Sequence, residues 1–114
     1  MNTTELILLY DYYGALLTDR QQECFEMRYH QDLSLGEIGQ ELGISRQGVH
    51  DNLSRTEALL QHMEAKTGCV QRDRRCRKAA GQIASAAQAL AQHEDKQVTV
   101  LAQQILSAVR ELGE

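Results

Sequence analysis

The chain of 114 residues has no proline and no tryptophan, and its only aromatic residues are four tyrosines and one phenylalanine. Without proline, a helix can be ended only by glycine, by capping chemistry or by packing. Alanine, leucine, glutamine and glutamate are abundant, and these residues favour helix. No segment alternates polar and apolar residues over a convincing length, so the sequence predicts an all-α fold without a sheet.

The residue clusters of a metal centre or an active site are also missing. Cys24, Cys69 and Cys76 form no CxxC pair, and no histidine stands at a spacing that would complete a zinc site. The sequence contains no P-loop, no Rossmann glycine motif, no G-x-S-x-G and no H-E-x-x-H. We therefore expect no metal, no cofactor and no enzymatic activity.

The N-terminal stretch "MNTTELILLYDYYGALL" lacks the features of a targeting segment. It has no basic n-region, and Glu5 and Asp11 flank a short apolar run. This pattern fits neither a signal peptide nor a membrane span. We expect a cytoplasmic protein that is not associated with a membrane.

The net charge of −4 is unevenly distributed. Residues 1–66 contain five Lys/Arg against eleven Asp/Glu, a balance of −6, and residues 67–114 contain seven against five, a balance of +2. The length allows one compact domain with a core. Within it we predict a helical bundle over residues 1–68, and a helical extension over residues 69–114 that packs on the bundle or on a partner.

Capping signals predict the helices of the first part. The first helix is expected from about Thr4 to Leu17, capped by Thr3 or Thr4. Its apolar stripe consists of Leu6, Leu9, Tyr10, Tyr13, Leu16 and Leu17. Thr18 with Gln21 three residues later predicts a capping box and a second helix with Phe25 and Tyr29 as core anchors. This order of signals is repeated in the next segment.

The stretch "LSLGEIGQELGISRQGVHDNLSR" predicts a helix-turn-helix. Ser34 and Glu37 form a second capping box, and Gly43 suits the left-handed turn that ends a helix. Ile44 is expected to plug the corner, and Ser45 to cap a helix that runs to about Lys66 and ends at Gly68. The apolar stripes of the two helices are Leu35, Ile38 and Leu42, followed by Val49, Leu53, Leu60 and Met63.

After a short connector, the segment from about Gln71 to Leu112 carries two further apolar stripes. They consist of Ile83, Ala87 and Leu90, and of Val98, Leu101, Ile105, Val109 and Leu112. A break between His93 and Asp95, with Asp95 as a new N-cap, would give a helical hairpin. The phase of the stripe is kept across the interruption, so a single long helix is the alternative.

The second helix of a helix-turn-helix presents its outward side chains to base edges. Glutamine can pair with adenine, and arginine with guanine or phosphate, whereas Asp51 would repel phosphate. The alternative interpretation is that this polar face is simply solvated. The candidate nucleic-acid-binding residues are Ser45, Arg46, Gln47, His50, Asp51, Asn52, Ser54 and Arg55.

The strongest positive feature is the basic run, which consists of Arg72, Arg74, Arg75, Arg77 and Lys78. Asp73 and Cys76 are the two other residues within this run. Cations near a helix N-terminus interact unfavourably with the helix dipole. Their presence there therefore favours a functional role for the run. Such a run fits a phosphate backbone or an acidic protein surface, and it would supply sequence-independent contact.

Several motifs together form a distinctive set: Tyr10-Asp11-Tyr12-Tyr13, Leu17-Thr18, Asp32-Leu33-Ser34-Leu35, Gly43-Ile44-Ser45-Arg46-Gln47, and Val49 followed by Asp51-Asn52. With them, the segment from Leu9 to Gly68 resembles the YlxM-type proteins, small bacterial helix-turn-helix proteins similar to region four of sigma factors. His50 departs from an aromatic residue usual in that family, and Ser54 from a basic one. The alanine-rich tail after Ala79 also differs, so no functional residue is carried over there.

The resemblance implies an all-helical fold and a nucleic-acid face at Ser45, Arg46, Gln47, Asp51, Asn52 and Arg55. Because the family's gene lies beside that of the signal recognition particle GTPase, it also implies an accessory or regulatory role in targeting, through the particle's RNA or its GTPase. Two alternatives remain open. One is a DNA-binding transcriptional regulator, and the other is a helical dimerisation module that binds no nucleic acid.

Overall fold

The computed structural model describes residues 2–112, and every regular element in this range is helical. The prediction of an all-α fold without a sheet is confirmed for these residues. The chain divides into two compact units, one ending at Val70 and one beginning at Gln71. The helices are α1 (Thr3–Tyr13), α2 (Asp19–Tyr29), α3 (Leu35–Leu42), α4 (Arg46–Thr67), α5 (Cys69–Leu90) and α6 (Lys96–Leu112).

The first helix differs from its prediction at both ends. Its N-cap is Asn2 rather than Thr3 or Thr4, because Asn2 Oδ1 accepts a hydrogen bond from the Glu5 N–H at 2.8 Å. At its other end the helix gives way to a 3₁₀ turn over residues 14–16. The turn leaves Leu16 70% exposed, so this side chain does not belong to the predicted apolar stripe.

The caps of α2, α3 and α4 are those that the sequence predicts. Thr18 and Ser34 each complete a capping box, and the Ser45 hydroxyl accepts from the Gly48 N–H at 2.9 Å. In the second box, hydrogen bonds with Ser34 lower the pKa of Glu37, so the carboxylate is the form that the helix start stabilises. These local contacts fix where each helix begins.

The main core lies between α1, α2, α4 and the start of α5. The rings of Tyr10 and Phe25 stack with their centroids 4.1 Å apart, and Tyr29 packs against Phe25 at 4.6 Å. Phe25 is 1% exposed, which confirms it as a core anchor, and Tyr29 is half-buried. The buried members of this core are Leu6, Leu9, Tyr13, Leu17, Phe25, Leu60 and Val70.

A second core cluster joins α2 to the two helices of the helix-turn-helix. Cys24, Ile38 and Val49 are fully buried at its centre, and burial raises the pKa of the Cys24 thiol. The half-buried residues around them are Met27, Leu33, Leu35, Leu42 and Leu53. The predicted apolar stripes of α3 and α4 therefore do face each other across the Gly43 corner, where φ is 69°.

The corner itself is closed by backbone rather than by a side chain. A Cβ on Gly39 would lie 2.7 Å from the Ile44 carbonyl oxygen, so only glycine leaves room for the turn to approach α3. The Ile44 N–H donates to the Gly39 carbonyl at 3.0 Å. The Ile44 side chain is 37% exposed, and its predicted role as a plug is wrong because Gly39 brings the backbone itself into that space.

A single glycine joins α4 to α5. Gly68 has a φ of 64° and ends α4 as predicted, but α5 begins at Cys69, so the connector expected before Gln71 is absent. The left-handed glycine turns the chain within one residue, which is why no longer connector is needed.

A partly buried hydrogen-bond network stabilises this junction. The Glu64 carboxylate accepts from the Tyr13 hydroxyl at 2.5 Å and from the Val70 N–H at 3.1 Å. The Tyr13 hydroxyl also lies 2.6 Å from the Thr67 Oγ1. Burial and the bond to Glu64 raise the pKa of Tyr13. One carboxylate thus ties α1, the end of α4 and the first turn of α5 together.

The second unit contains most of α5 and all of α6. The break predicted between His93 and Asp95 is present: α5 ends at Leu90, and Asp95 Oδ1 accepts from the Gln97 N–H at 2.8 Å at the start of α6. The alternative of one long helix is therefore wrong, because Asp95 offers the backbone a new cap.

The predicted stripes of the second unit are split between buried and exposed sides. Among the stripe residues, Ala87 is 1% exposed and Val98 and Val109 are half-buried; Ala102, which belongs to neither stripe, is 0% exposed. The larger residues of the same stripes are exposed: Ile83, Leu90, Leu101, Ile105 and Leu112. Within residues 71–112 the most deeply buried side chains are thus alanines, while five of the larger stripe residues remain on the surface.

Candidate nucleic-acid interface

The outward face of α4 starts at the helix-turn-helix corner and covers the first three turns of the helix. Ser45 begins it, but its hydroxyl is engaged as the cap of α4. Asn52 is half-buried and contributes less surface than predicted. The exposed candidate residues are Arg46, Gln47, His50, Asp51, Ser54 and Arg55.

The residue best suited to read a base is tied to its neighbour. The Gln47 Nε2 donates to Asp51 Oδ1 at 3.0 Å, one helical turn away. His50 Nδ1 lies 3.6 Å from the same carboxylate oxygen. Pairing of Gln47 with adenine would require this amide to leave Asp51, and the carboxylate would then face the nucleic acid. The Gln47 amide is therefore not positioned to read a base while it is hydrogen-bonded to Asp51.

Beside this face, α2 and α4 form a cleft of about 440 Å³. Arg20 and Gln21 line it from the start of α2, and Asp51, Asn52 and Arg55 line it from α4. Arg20 belongs to none of the predicted sites, and it lies 35 positions from Arg55 along the chain. No local spacing signals this pairing, because it arises only when α2 packs beside α4.

All five cations of the basic run are exposed on the first turns of α5. Arg77 Nε lies 3.3 Å from Asp73 Oδ2, one turn before it, so this charge is partly compensated. Arg74 and Lys78 are also one turn apart and share a face of the helix, with Arg75 beside them. These three residues form the basic face, which is the main cationic surface of the second unit.

Within residues 2–112 no group of three or more His, Cys, Asp or Glu side chains could hold a metal ion. In the same range, no helix is both long and apolar enough to cross a membrane. The three cysteines are free thiols, with Cys24 buried, Cys69 half-buried and Cys76 exposed.

Comparison with known proteins places this architecture in a family. The family model UPF0122, described as "Putative helix-turn-helix protein, YlxM / p13 like", matches residues 1–100. The chain belongs to the UPF0122 family. The match extends past the Leu9–Gly68 segment that carried the sequence resemblance, so the family pattern includes α5 with its basic run and the start of α6.

Individual UPF0122 proteins support the same assignment. One from Thermoanaerobacter sp. (strain X514) is 43% identical over 109 residues, which are 95% of this chain and 93% of that protein. One from Caldanaerobacter subterraneus subsp. tengcongensis is 58% identical over 67 residues, 59% of this chain and 57% of that protein. One from Bacillus cereus (strain AH187) is 46% identical over 70 residues, 61% and 64% of the two chains.

Proposed function

We propose that this UPF0122 protein is a non-enzymatic regulatory protein of the cytoplasm that binds RNA, with the RNA of the signal recognition particle as its target. The observation that carries the proposal is the basic face of α5, Arg74, Arg75 and Lys78, exposed on a chain that is otherwise acidic. The resemblance to YlxM-type proteins supports the choice of this RNA.

The charge distribution favours RNA over a specific DNA operator. A DNA-reading helix gains much of its affinity from cations that neutralise phosphates, and α4 carries few of them. The side-chain amide of its Gln47 is hydrogen-bonded to Asp51, which leaves few side chains of α4 that could read a base. Structured RNA is recognised mostly through shape and backbone contacts, and these need an exposed cationic surface rather than a base-reading helix.

Neutralising the basic face is expected to weaken RNA binding about tenfold or more at physiological salt, because contacts with backbone phosphates are lost. Each lost phosphate contact should also lower the slope of log K against log salt concentration, the salt slope, by about one unit. The test is the variant Arg74→Gln, Arg75→Gln, Lys78→Gln, titrated against the particle RNA at several salt concentrations. The matched control removes three cations elsewhere: Arg28→Gln, Lys66→Gln, Arg110→Gln. It should bind like the wild type.

Other results would contradict the proposal in distinct ways. Equal loss in both triple variants would show a non-specific effect of net charge. Binding of the particle's GTPase without RNA, lost in the basic-face variant, would make the partner a protein. Sequence-selective binding to duplex DNA that Arg46→Ala or Gln47→Ala abolishes would instead support a transcriptional regulator.

The exposed apolar residues of the second unit favour a second candidate function, self-association. On each helix they recur at intervals of four, three and four residues, the spacing of a packing seam. On α5 these residues are Ala79, Ile83, Ala86 and Leu90, and on α6 they are Leu101, Ile105, Ala108 and Leu112. An apolar seam of this kind on the surface marks an interaction site.

For this second candidate we expect a dimer of twice the 12.8 kDa chain mass in light scattering. The double variant Leu101→Asp, Ile105→Asp should be monomeric, because two charges cannot be buried unpaired in an interface. The control Leu16→Asp places a charge on an exposed leucine of the first unit, 70% exposed against 58% for Leu101, and should remain a dimer. A wild-type protein that stays monomeric at high micromolar concentration would exclude this function.

A further inference from the structure

The cleft between α2 and α4 contains two arginines whose role the family assignment does not address. Arg20 comes from the first turn of α2 and Arg55 from the third turn of α4, and both are exposed. Arginine presents a planar fork of N–H donors that matches the oxygens of a phosphate, and two such forks on one cleft can hold one phosphate between them.

The position of Arg20 is set by the helix-turn-helix itself. Its Nη1 donates to the Leu42 carbonyl at 3.2 Å, at the last turn of α3. This bond satisfies a carbonyl that the helix end leaves without an intrahelical partner. A guanidinium has five N–H donors, so one bond to Leu42 leaves several for a ligand.

The other residues that line the cleft supply hydrogen-bond donors and one negative charge. Gln21 and Asn52 carry amide groups, each with two N–H donors. Asp51 also lines the cleft, but its Oδ1 is already bonded to the Gln47 amide. Two guanidinium charges against one carboxylate leave a net positive cleft, suited to the single negative charge of a phosphodiester rather than to a multiply charged anion.

The cleft also lies beside the outward face of α4, since Asp51 and Arg55 belong to both. In a helix-turn-helix complex, groups that flank the recognition helix contact backbone phosphates and set its register. The geometry points to the Arg20–Arg55 cleft as a binding site for one backbone phosphodiester of a nucleic acid lying against the outward face of α4. This inference rests on the proposed binding of RNA and adds a contact separate from the basic run.

The decisive variant is Arg20→Gln, Arg55→Gln, and the chain offers a close control in Arg28→Gln, Lys66→Gln. Arg28 lies on α2 like Arg20 and also donates to a backbone carbonyl, that of Leu33, at 3.0 Å. Lys66 lies on α4 like Arg55. Both double variants lose two positive charges from the same two helices, but only the first loses them from the cleft.

Binding to the particle RNA, and to a duplex DNA of equal length, is measured over a series of salt concentrations. For whichever nucleic acid binds, we expect the cleft variant to lose about tenfold in affinity and about one unit of the slope of log K against log salt concentration, while the control matches the wild type. A cleft variant that binds like the control, with the same slope, would overturn the site while leaving the proposed function intact.

A second measurement separates the cleft from the function. Dimethyl phosphate, a phosphodiester without bases or sugar, is titrated into the labelled protein at constant ionic strength, and the amide resonances of Gln21, Gly48 and Asn52 are followed. Saturable shifts in the wild type that the cleft variant lacks would support the site even if no nucleic acid binds. No shift, together with no effect on nucleic-acid binding, would refute it.

Discussion

Replacing Gly39 by alanine is expected to destabilise the first unit by about 1–3 kcal/mol, the usual cost of forcing an extra methyl group into a packed interior. A methyl group there would lie 2.7 Å from the Ile44 carbonyl oxygen, which belongs to backbone that cannot rotate away. Either α3 or the corner must move, and the contact between Ile38 and Val49 would open with it. Urea unfolding followed by circular dichroism measures the loss.

A second glycine of the same helix provides the control. Around Gly36, a Cβ would meet nothing closer than the Ser34 Oγ at 3.9 Å. Gly36→Ala is therefore expected to stabilise the protein by about 0.5–1 kcal/mol, because alanine loses less backbone entropy than glycine in a helix. If both substitutions changed stability alike, the close approach at Gly39 would not be what holds the corner.

The two glycines show which parts of the fold can be predicted from sequence. The caps at Thr18, Ser34 and Ser45 are contacts between residues three apart, so the spacing of the side chains predicts them. The need for glycine at Gly39 depends on where the chain returns five residues later. A glycine inside a helix carries no local sign of that requirement, and only the packed corner distinguishes it from Gly36.

The same limit applies to the candidate interface. The periodicity of α4 predicts which side chains point outward, and the structure places Gln47 and Arg55 on the surface accordingly. The periodicity of the sequence does not predict that Arg20 lines a cleft with Arg55, because that depends on how α2 packs beside α4. The assignment of these residues to nucleic-acid binding stays a prediction, and the charge-matched variants of the basic face and of the cleft test its two parts separately.

The Ile44 and Leu16 errors have a common cause. Leu16 continues the predicted stripe by spacing, and Ile44 is predicted to plug the corner, but each residue lies beyond the end of its α-helix. Once the backbone leaves the α-helical path, the period of 3.6 residues no longer predicts where a side chain points. Apolar residues at helix ends are therefore the least safe members of a predicted core.

Removing the Tyr13 hydroxyl is expected to cost about 1–2 kcal/mol, because hydrogen bonds to charged groups contribute more than neutral ones. Tyr13→Phe keeps the ring in the core but takes a donor from the Glu64 carboxylate, which lies 51 positions away in sequence. Tyr29 belongs to the same core and packs its ring on Phe25, so Tyr29→Phe is the control for loss of a tyrosine hydroxyl and should cost less than Tyr13→Phe.

A double-mutant cycle shows whether Tyr13 and Glu64 act together. Glu64→Ala alone should cost about 1–3 kcal/mol, because the Tyr13 hydroxyl and the Val70 N–H both lose an acceptor in a partly buried place. Combined with Tyr13→Phe, the total loss should fall short of the sum by at least about 0.5 kcal/mol, since the shared bond is removed only once. Strictly additive losses would mean that the two groups stabilise the α4–α5 junction independently, and the network would not be the contact that joins the first helix to it.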